Sequence, residues 1–475
     1  MSGSLTVVGS YTYKDYKSIV TVDGSFPSNL APLQAVLTSA SDGVVSVGAS
    51  FLNLDVAGQS GTLTVTPPGA GFGIFELTNS TVNGSSTAGS ASVSVSVPDE
   101  YKTIVVQAPG SETVSSSATG LFAVFGSSSQ VTFNSGGSGT VVAGGAGDYV
   151  GLTAGTWSVY AGGGDSVGSS ATNASIVTTG ADNVVGLLGG TSSVTLGGSN
   201  DLIETYNSGV TGLVTVTGAN DRVLIDGGSD TVTAAGNSSG LNVFFNLSGG
   251  SLDFINNSGS AATVSGAVIG AIGGSVTAFG GAGGGLYKGG PGGNNSLVGG
   301  SGIVSLYGAG VNNLLSVTGA GTGSNGNTLS VGTSGSSTLI ASASTTNNTF
   351  YGGAVGSTVM QSSGSGNQTF FVGTGDQETL TGSSAAGATN DFYVLQNAGG
   401  SGNDVITNFN LTTDKLFIDT IGQFQGQVSV GSIQSNGGAA GGSIIFLTDN
   451  TSITLYGIST TQLANAGVGR GSTTI

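Results

Sequence analysis

The chain has no cysteine and no histidine among its 475 residues, and only 7 lysines and arginines. Each absence closes a route. Without Cys there is no disulfide framework. Without Cys and His there is no thiolate nucleophile, no imidazole base and no ordinary zinc site. Charged residues make up 7% of the chain, against about 25% in ordinary globular domains. An enzyme-like surface is therefore not expected. The basic residues Lys14, Lys17, Lys102, Arg222, Lys288, Lys415 and Arg470 are scattered, and the net charge is -17. Nucleic acid is an unfavourable partner for such a surface. No run of about 20 apolar residues is present, so no membrane-spanning helix is expected. The first residues lack a basic segment followed by an apolar core, so export would have to read another part of the chain.

What is abundant is glycine, at 90 residues, together with Ser, Thr, Asn and Val. Glycine and β-branched residues are weak helix formers, and no 3.6-residue period is sustained. The fold class this predicts is all-β. Residues 1–110 hold most of the proline and alternate strictly, as in Ser92-Val93-Ser94-Val95-Ser96-Val97 and Thr62-Leu63-Thr64-Val65-Thr66. Alternation with turn residues between the runs predicts a β-sandwich-like head.

From about residue 111 the pattern becomes short apolar blocks, a Gly turn, then Asp or Asn. Asp148, Asp165, Asp182, Asp201 and Asp221 stand 17, 17, 19 and 20 residues apart, and Asp230 follows. Most have a branched apolar residue two positions on: Val150, Val167, Val184, Ile203, Val223. A period of 17–20 residues fits one coil of a parallel β-solenoid, a β-helix or β-roll, whose coils bury their apolar faces only by stacking. No Asp or Glu occurs between Asp253 and Asp376. There the slot passes to Asn295, Asn313, Asn327 and Asn348, spaced 18, 14 and 21. Stacked Asn can hydrogen-bond up one corner of the solenoid as a neutral ladder. The expected organisation is a head at 1–110, a solenoid at 111–410 and a β cap at 411–475.

The sharpest motif is Gly399-Gly400-Ser401-Gly402-Asn403-Asp404-Val405-Ile406-Thr407. It matches the nonapeptide G-G-x-G-x-D-x-U-x, in which glycines turn carbonyls toward Ca²⁺ and the Asp supplies a hard anionic oxygen. Partial matches surround Asp165 and Asp230, while Asp182 and Asp221 lie in the same repeat. The metal candidates are thus Asp404, Gly400, Gly402, Asp165, Asp182, Asp221 and Asp230, with Ca²⁺ as the ion at a few sites. For the partial matches the competing reading is an Asp that caps a turn. After Asp404 come Phe409, then Asp414-Lys415-Leu416-Phe417-Ile418, and later Phe446 to Ile458. Over 399–465 this resembles the tail of bacterial type I secreted proteins with repeats-in-toxin, or haemolysin-type calcium-binding, repeats. The resemblance implies an uncleaved C-terminal export signal and an extracellular or cell-surface location.

Three functions follow as expectations. The first is a secreted structural protein that self-associates into a surface layer, filament or biofilm matrix, with itself and envelope or matrix polysaccharide as partners. The second is an adhesin binding a host or glycan surface through Tyr11, Tyr13, Tyr16 and Phe26. The third, a β-helical polysaccharide lyase or hydrolase, needs clustered Asp with Arg or Lys to stabilise the developing charge. Arg222 beside Asp221, Asp226 and Asp230 is the nearest approach, and Asp99-Glu100-Tyr101-Lys102 reads better as a solvated turn. No enzymatic activity is expected.

Overall fold

The computed structural model describes residues 2–13, 16–25, 50–55, 60–65, 73–78, 92–107, 113–125, 129–133, 136–207, 209–226, 228–236, 242–246, 251–258, 269–271, 274–281, 284–291, 294–318, 326–332, 335–342, 346–373, 377–394, 402–418, 427–437 and 441–475. The chain is an all-β parallel solenoid of about 12 turns. It divides into two compact units, Met1–Val232 and Thr233–Ile475.

In the first unit the strands Ser138–Ala146, Thr156–Gly163, Asn173–Thr178, Thr191–Leu196 and Thr211–Val216 pair in parallel, each with the equivalent strand one coil later. A second parallel sheet stacks Gln130–Phe133, Tyr149–Leu152, Ser166–Ser169, Val184–Leu187, Leu202–Thr205 and Arg222–Ile225. Successive side chains alternate sides, so each short strand sends every second residue inward. Val131, Val150, Val167, Val185, Ile203 and Val223 form one inward column, each at most 2% exposed. Val159, Ile176, Val194 and Val214 form another. Full burial of one such side chain is worth about 1.5–3 kcal/mol. A coil therefore gains its stability from the coils above and below it.

The parallel pairing also takes in residues the sequence assigned to a sandwich-like head. Ser50–Asp55, Gly73–Thr78, Tyr101–Gln107 and Thr119–Phe125 pair in parallel and join Ser138–Ala146. Ser60–Thr64, Ser92–Ser96 and Thr113–Ser115 stack as a further parallel sheet. The reason is physical: alternation reports one buried face, and that is common to antiparallel sandwiches and to solenoid coils. Ser2–Tyr13 and Tyr16–Ser25 depart from it, pairing as an antiparallel hairpin.

In the second unit one sheet stacks Ser296–Gly299, Leu314–Val317, Ser337–Ala341, Ser357–Ser362, Gln377–Thr381 and Asn403–Thr407. The facing sheet runs from Gly285–Lys288 to Lys415–Ile418. Inside it, Phe350, Phe370 and Phe392 stack with ring centroids 4.7 and 4.8 Å apart. Outside it, Tyr351, Phe371, Tyr393 and Phe417 do the same at 4.7, 5.0 and 4.6 Å. These spacings are those of neighbouring strands, about 4.7–4.9 Å. Identical positions on successive coils are thus held at stacking distance by the backbone itself.

The C-terminal end is closed. Ser452–Tyr456 pairs in parallel with Asn403–Thr407 and then antiparallel with Gly442–Leu447, which pairs antiparallel with Val430–Ser435. A short helix, Thr460–Asn465, follows with a Ser459/Gln462 capping box and a buried Leu463. Among the described residues no helix is long and apolar enough to cross a membrane.

Candidate functional site: the buried Asp and Asn ladders

Four of the regularly spaced acids, Asp148, Asp165, Asp201 and Asp221, sit at one corner of successive coils and are buried. The Ser129 amide donates to Asp148 Oδ1 at 2.8 Å, and the Asp148 amide to Asp165 Oδ1 at 2.9 Å. The Asp165 amide donates to Asn183 Oδ1 at 3.0 Å, the Asn183 amide to Asp201 Oδ1 at 2.9 Å, and the Asp201 amide to Asp221 Oδ1 at 2.8 Å. Each side chain thus accepts from the coil before it. This satisfies a corner amide that would otherwise be buried and unpaired, a loss of about 1–3 kcal/mol.

The member of the ladder at the third coil is Asn183, not Asp182. Asp182 is exposed and adopts φ 64°, while Asn183 is 1% exposed. The inward apolar residue moves with it, to Val185, leaving Val184 39% exposed. The same doublet recurs: Asn200, Asn220 and Asn312 have φ 59°, 59° and 56°, and Asp201, Asp221 and Asn313 follow them inward. Asn and Asp tolerate this left-handed region better than other side chains do. The doublets Asp182-Asn183, Asn200-Asp201, Asn220-Asp221 and Asn312-Asn313 were the readable signal, with the second residue as the functional one.

In the second unit the Asn series divides between two corners. Asn295 Nδ2 donates to Asn313 Oδ1 at 2.7 Å, and Asn313 continues to Ser337 Oγ at 3.3 Å. At the other corner Asn327 Nδ2 donates to Asn348 Oδ1 at 2.9 Å, and Asn348 Nδ2 to Gln368 Oε1 at 2.8 Å. Asn390 Nδ2 reaches both oxygens of Asp414 at 3.1 Å. The anomalous 14-residue step is the change of corner between Asn313 and Asn327. Gln368, Asn390 and Asp414 were not foreseen.

Burial governs the electrostatics. It pushes Asp165, Asp221, Asp230 and Asp404 up to about 7, and Glu378 up to about 8. Asp201 is raised by burial as well, with the hydroxyl of Thr178 and the amide of Asn183 opposing the shift. The cause is transfer of a carboxylate out of water, which favours the protonated form. Glu378 and Asp404 are neighbours on successive coils, next to the paired Thr379 and Val405. The negative charge of Asp404 raises Glu378 further.

The fit of these residues to Ca²⁺ can be tested oxygen by oxygen. Asp165 Oδ1 and Oδ2 both face amides, of Asp148 at 2.9 Å and Gly162 at 2.8 Å. Asp221 Oδ1 faces an amide, and its Oδ2 is enclosed. Asp230 is buried against Gly212, and Asp182 lies outside on the turn. At Asp165 amides take the directions a cation would need, whereas Asp221 Oδ2 and both oxygens of Asp230 are buried with no hydrogen-bond partner among the described residues. Among the described residues no three carboxylates converge. Asp404 is buried at the start of the last regular coil, beside Gly402, whereas Gly399 and Gly400 lie outside the described residues. The side chains of Tyr11, Tyr13 and Tyr16, and the whole of Phe26, also lie outside them. Arg222 is exposed, while Asp221 and Asp230 are buried away from solvent.

The fold and its corners define a parallel β-solenoid with internal Asx ladders. No family model, curated protein or solved structure matches the chain.

Proposed function

We propose that this chain is a secreted structural protein of a cell surface or extracellular matrix, built to associate with copies of itself. The observation that carries this reading is the outer surface of the coils. Tyr149, Leu188, Tyr206 and Leu213 in the first unit, and Phe279, Val311, Leu314, Val355 and Val359 in the second, are each at least 40% exposed. Between them stand mostly Ser, Thr and Gly, with few charges to oppose contact. Tyr149, Leu213, Phe279, Leu314 and Val359 lie on strands and Leu188, Tyr206, Val311 and Val355 at turns, and apolar surface left in water at so many places favours association. The low overall charge and the composition agree with this role. Export through the C-terminal region rests on the resemblance over 399–465. Calcium at Gly402 and Asp404 is part of the same proposal.

The test is electron microscopy of the purified chain with millimolar Ca²⁺ and with a chelator. Ordered filaments or sheets are expected, with Ca²⁺ promoting them. Monomers in both conditions would sink the structural reading and favour a surface-binding role for the N-terminal residues.

A further inference from the structure

The end of a parallel sheet exposes a row of unpaired N–H and C=O groups, and such an edge pairs with other chains unless it is covered. In the second unit the edge is Lys415–Ile418, the last strand of its sheet. Its outer side is taken by residues 473–475, which run antiparallel to it. The Leu416 amide donates to Ile475 O at 2.9 Å, the Ile475 amide to Leu416 O at 2.9 Å, and the Ile418 amide to Thr473 O at 2.8 Å. The preceding residues do the same for the hairpin edge at Val430. The Val430 amide donates to Ser472 O at 3.0 Å, and the Gly471 amide to Val430 O at 2.8 Å. One five-residue segment therefore covers two edges.

Its attachment is lopsided. Upstream it is anchored by Leu463 and Val468, both buried, and the Val468 amide donates to Leu463 O at 3.0 Å. Beyond Val468 the segment holds on mainly through backbone hydrogen bonds. Thr474 is exposed, and Thr473 and Ile475 are only half-buried. Removing it would cost little core, yet would uncover an edge whose inward residues Leu416 and Ile418 are already fully packed.

We propose that residues 471–475 are an edge guard: they keep the last coil from pairing with a second copy of this chain, and their release turns the C-terminal end into a self-association surface. The partner strand is the same edge of another copy, since Lys415–Ile418 can add an antiparallel strand where residues 473–475 now lie. The naming of a second copy as partner rests on the self-association reading. The contact itself is separate from the outer-face contacts on which that reading stands.

The absence of cysteine gives a clean probe. Lys415→Cys, on the exposed edge, is made in the full chain, in a chain lacking residues 472–475, and in a full-length Ile475→Pro chain that loses the Ile475 amide donor. Each is treated with a short bis-maleimide. The guard predicts a cross-linked dimer in both altered chains at least tenfold above the full chain, suppressed by excess Gly-Ser-Thr-Thr-Ile peptide. Equal cross-linking in the full chain, or none in altered chains with unchanged far-ultraviolet circular dichroism, would overturn it. If the truncation does not fold, Ile475→Pro decides. Filaments of the unaltered chain, seen or absent by microscopy, report on the outer faces and leave this test unaffected.

Discussion

Asp221 offers a quantitative test of the ladder, because its slot can be compared with one that already holds an amide. Asp221 Oδ1 accepts from the Asp201 amide at 2.8 Å, while Oδ2 is buried with no hydrogen-bond partner among the described residues. In the equivalent slot Asn183 accepts in the same way, and its Nδ2 donates to Gly180 O, three residues back, at 2.8 Å. Asn313 reaches Gly310 O with the same offset. Gly218 stands three residues before Asp221, and a Cβ built there would lie 2.8 Å from Oδ2. Asp221→Asn therefore puts a donor where an acceptor now has no partner.

The sign follows from where the proton sits. The Asp221 carboxyl is pushed up to about 7 from 3.8 by burial. Between about pH 4 and pH 7 the folded chain keeps a proton that the unfolded chain has released. Stability is then full below pH 4 and falls as pH rises through 7. A shift of that size corresponds to about 4 kcal/mol at 1.36 kcal/mol per unit. Solvent just outside the corner screens part of it, leaving on the order of 2 kcal/mol. The amide should add about 1 kcal/mol through its hydrogen bond. Asp221→Asn is thus expected to stabilise the protein by about 2–3 kcal/mol at pH 8 and by at most about 1 kcal/mol at pH 4. Urea unfolding at several pH values, with chelator present throughout, measures this. A variant less stable than the parent at pH 8, or a difference independent of pH, would refute the reasoning.

Other outcomes follow from the same structure. Phe370→Ala breaks the interior stack between Phe350 and Phe392 and should cost about 3–5 kcal/mol in chemical unfolding; a loss under 1 kcal/mol would contradict the packing. Gly190 has φ 74°, and a Cβ there would lie 1.9 Å from Ala171 O, whereas Gly189 has nothing within 4 Å. Gly190→Ala should lower stability by at least about 2 kcal/mol and Gly189→Ala by no more than about 0.5 kcal/mol, so equal effects would refute the coil register. If Ca²⁺ binds at Gly402 and Asp404, Asp404→Ala should abolish any rise of Tm with Ca²⁺, and an unchanged calcium response would remove that site. Deleting residues 400–475 should trap the chain inside the producing cell, as judged by fractionation; normal secretion would end the C-terminal export reading.

Much of the candidate site could be read from spacing, and the misreadings share one origin. Asp148, Asp165, Asp201 and Asp221 were found because one coil consumes a nearly fixed number of residues. Asp182 was chosen over Asn183 because the two differ only in which one takes the left-handed turn, and that choice depends on the backbone of the neighbouring coil. Asn327 was placed in one series with Asn313 because a period counts residues and does not say which corner they occupy. Gln368 and Asn390 follow Asn348 at steps of 20 and 22 residues, so the period extends to them, whereas Glu378 stands outside the Asp and Asn pattern.

By itself the sequence determined the all-β class, the stacked coils of the middle of the chain and the corner use of Asp and Asn. These follow from local facts: alternation, glycine turns and a repeat length that one strand-turn-strand circuit must satisfy. Tertiary structure alone decided that the strands Ser50–Asp55, Gly73–Thr78, Tyr101–Gln107 and Thr119–Phe125 join the solenoid rather than a sandwich, since a strand's partner and direction lie outside its own pattern. It also decided that acids at the corners are buried deeply enough to favour their protons. Last, it brought residues 471–475 back onto the Lys415–Ile418 edge, a pairing between segments more than 50 residues apart that no local rule encodes.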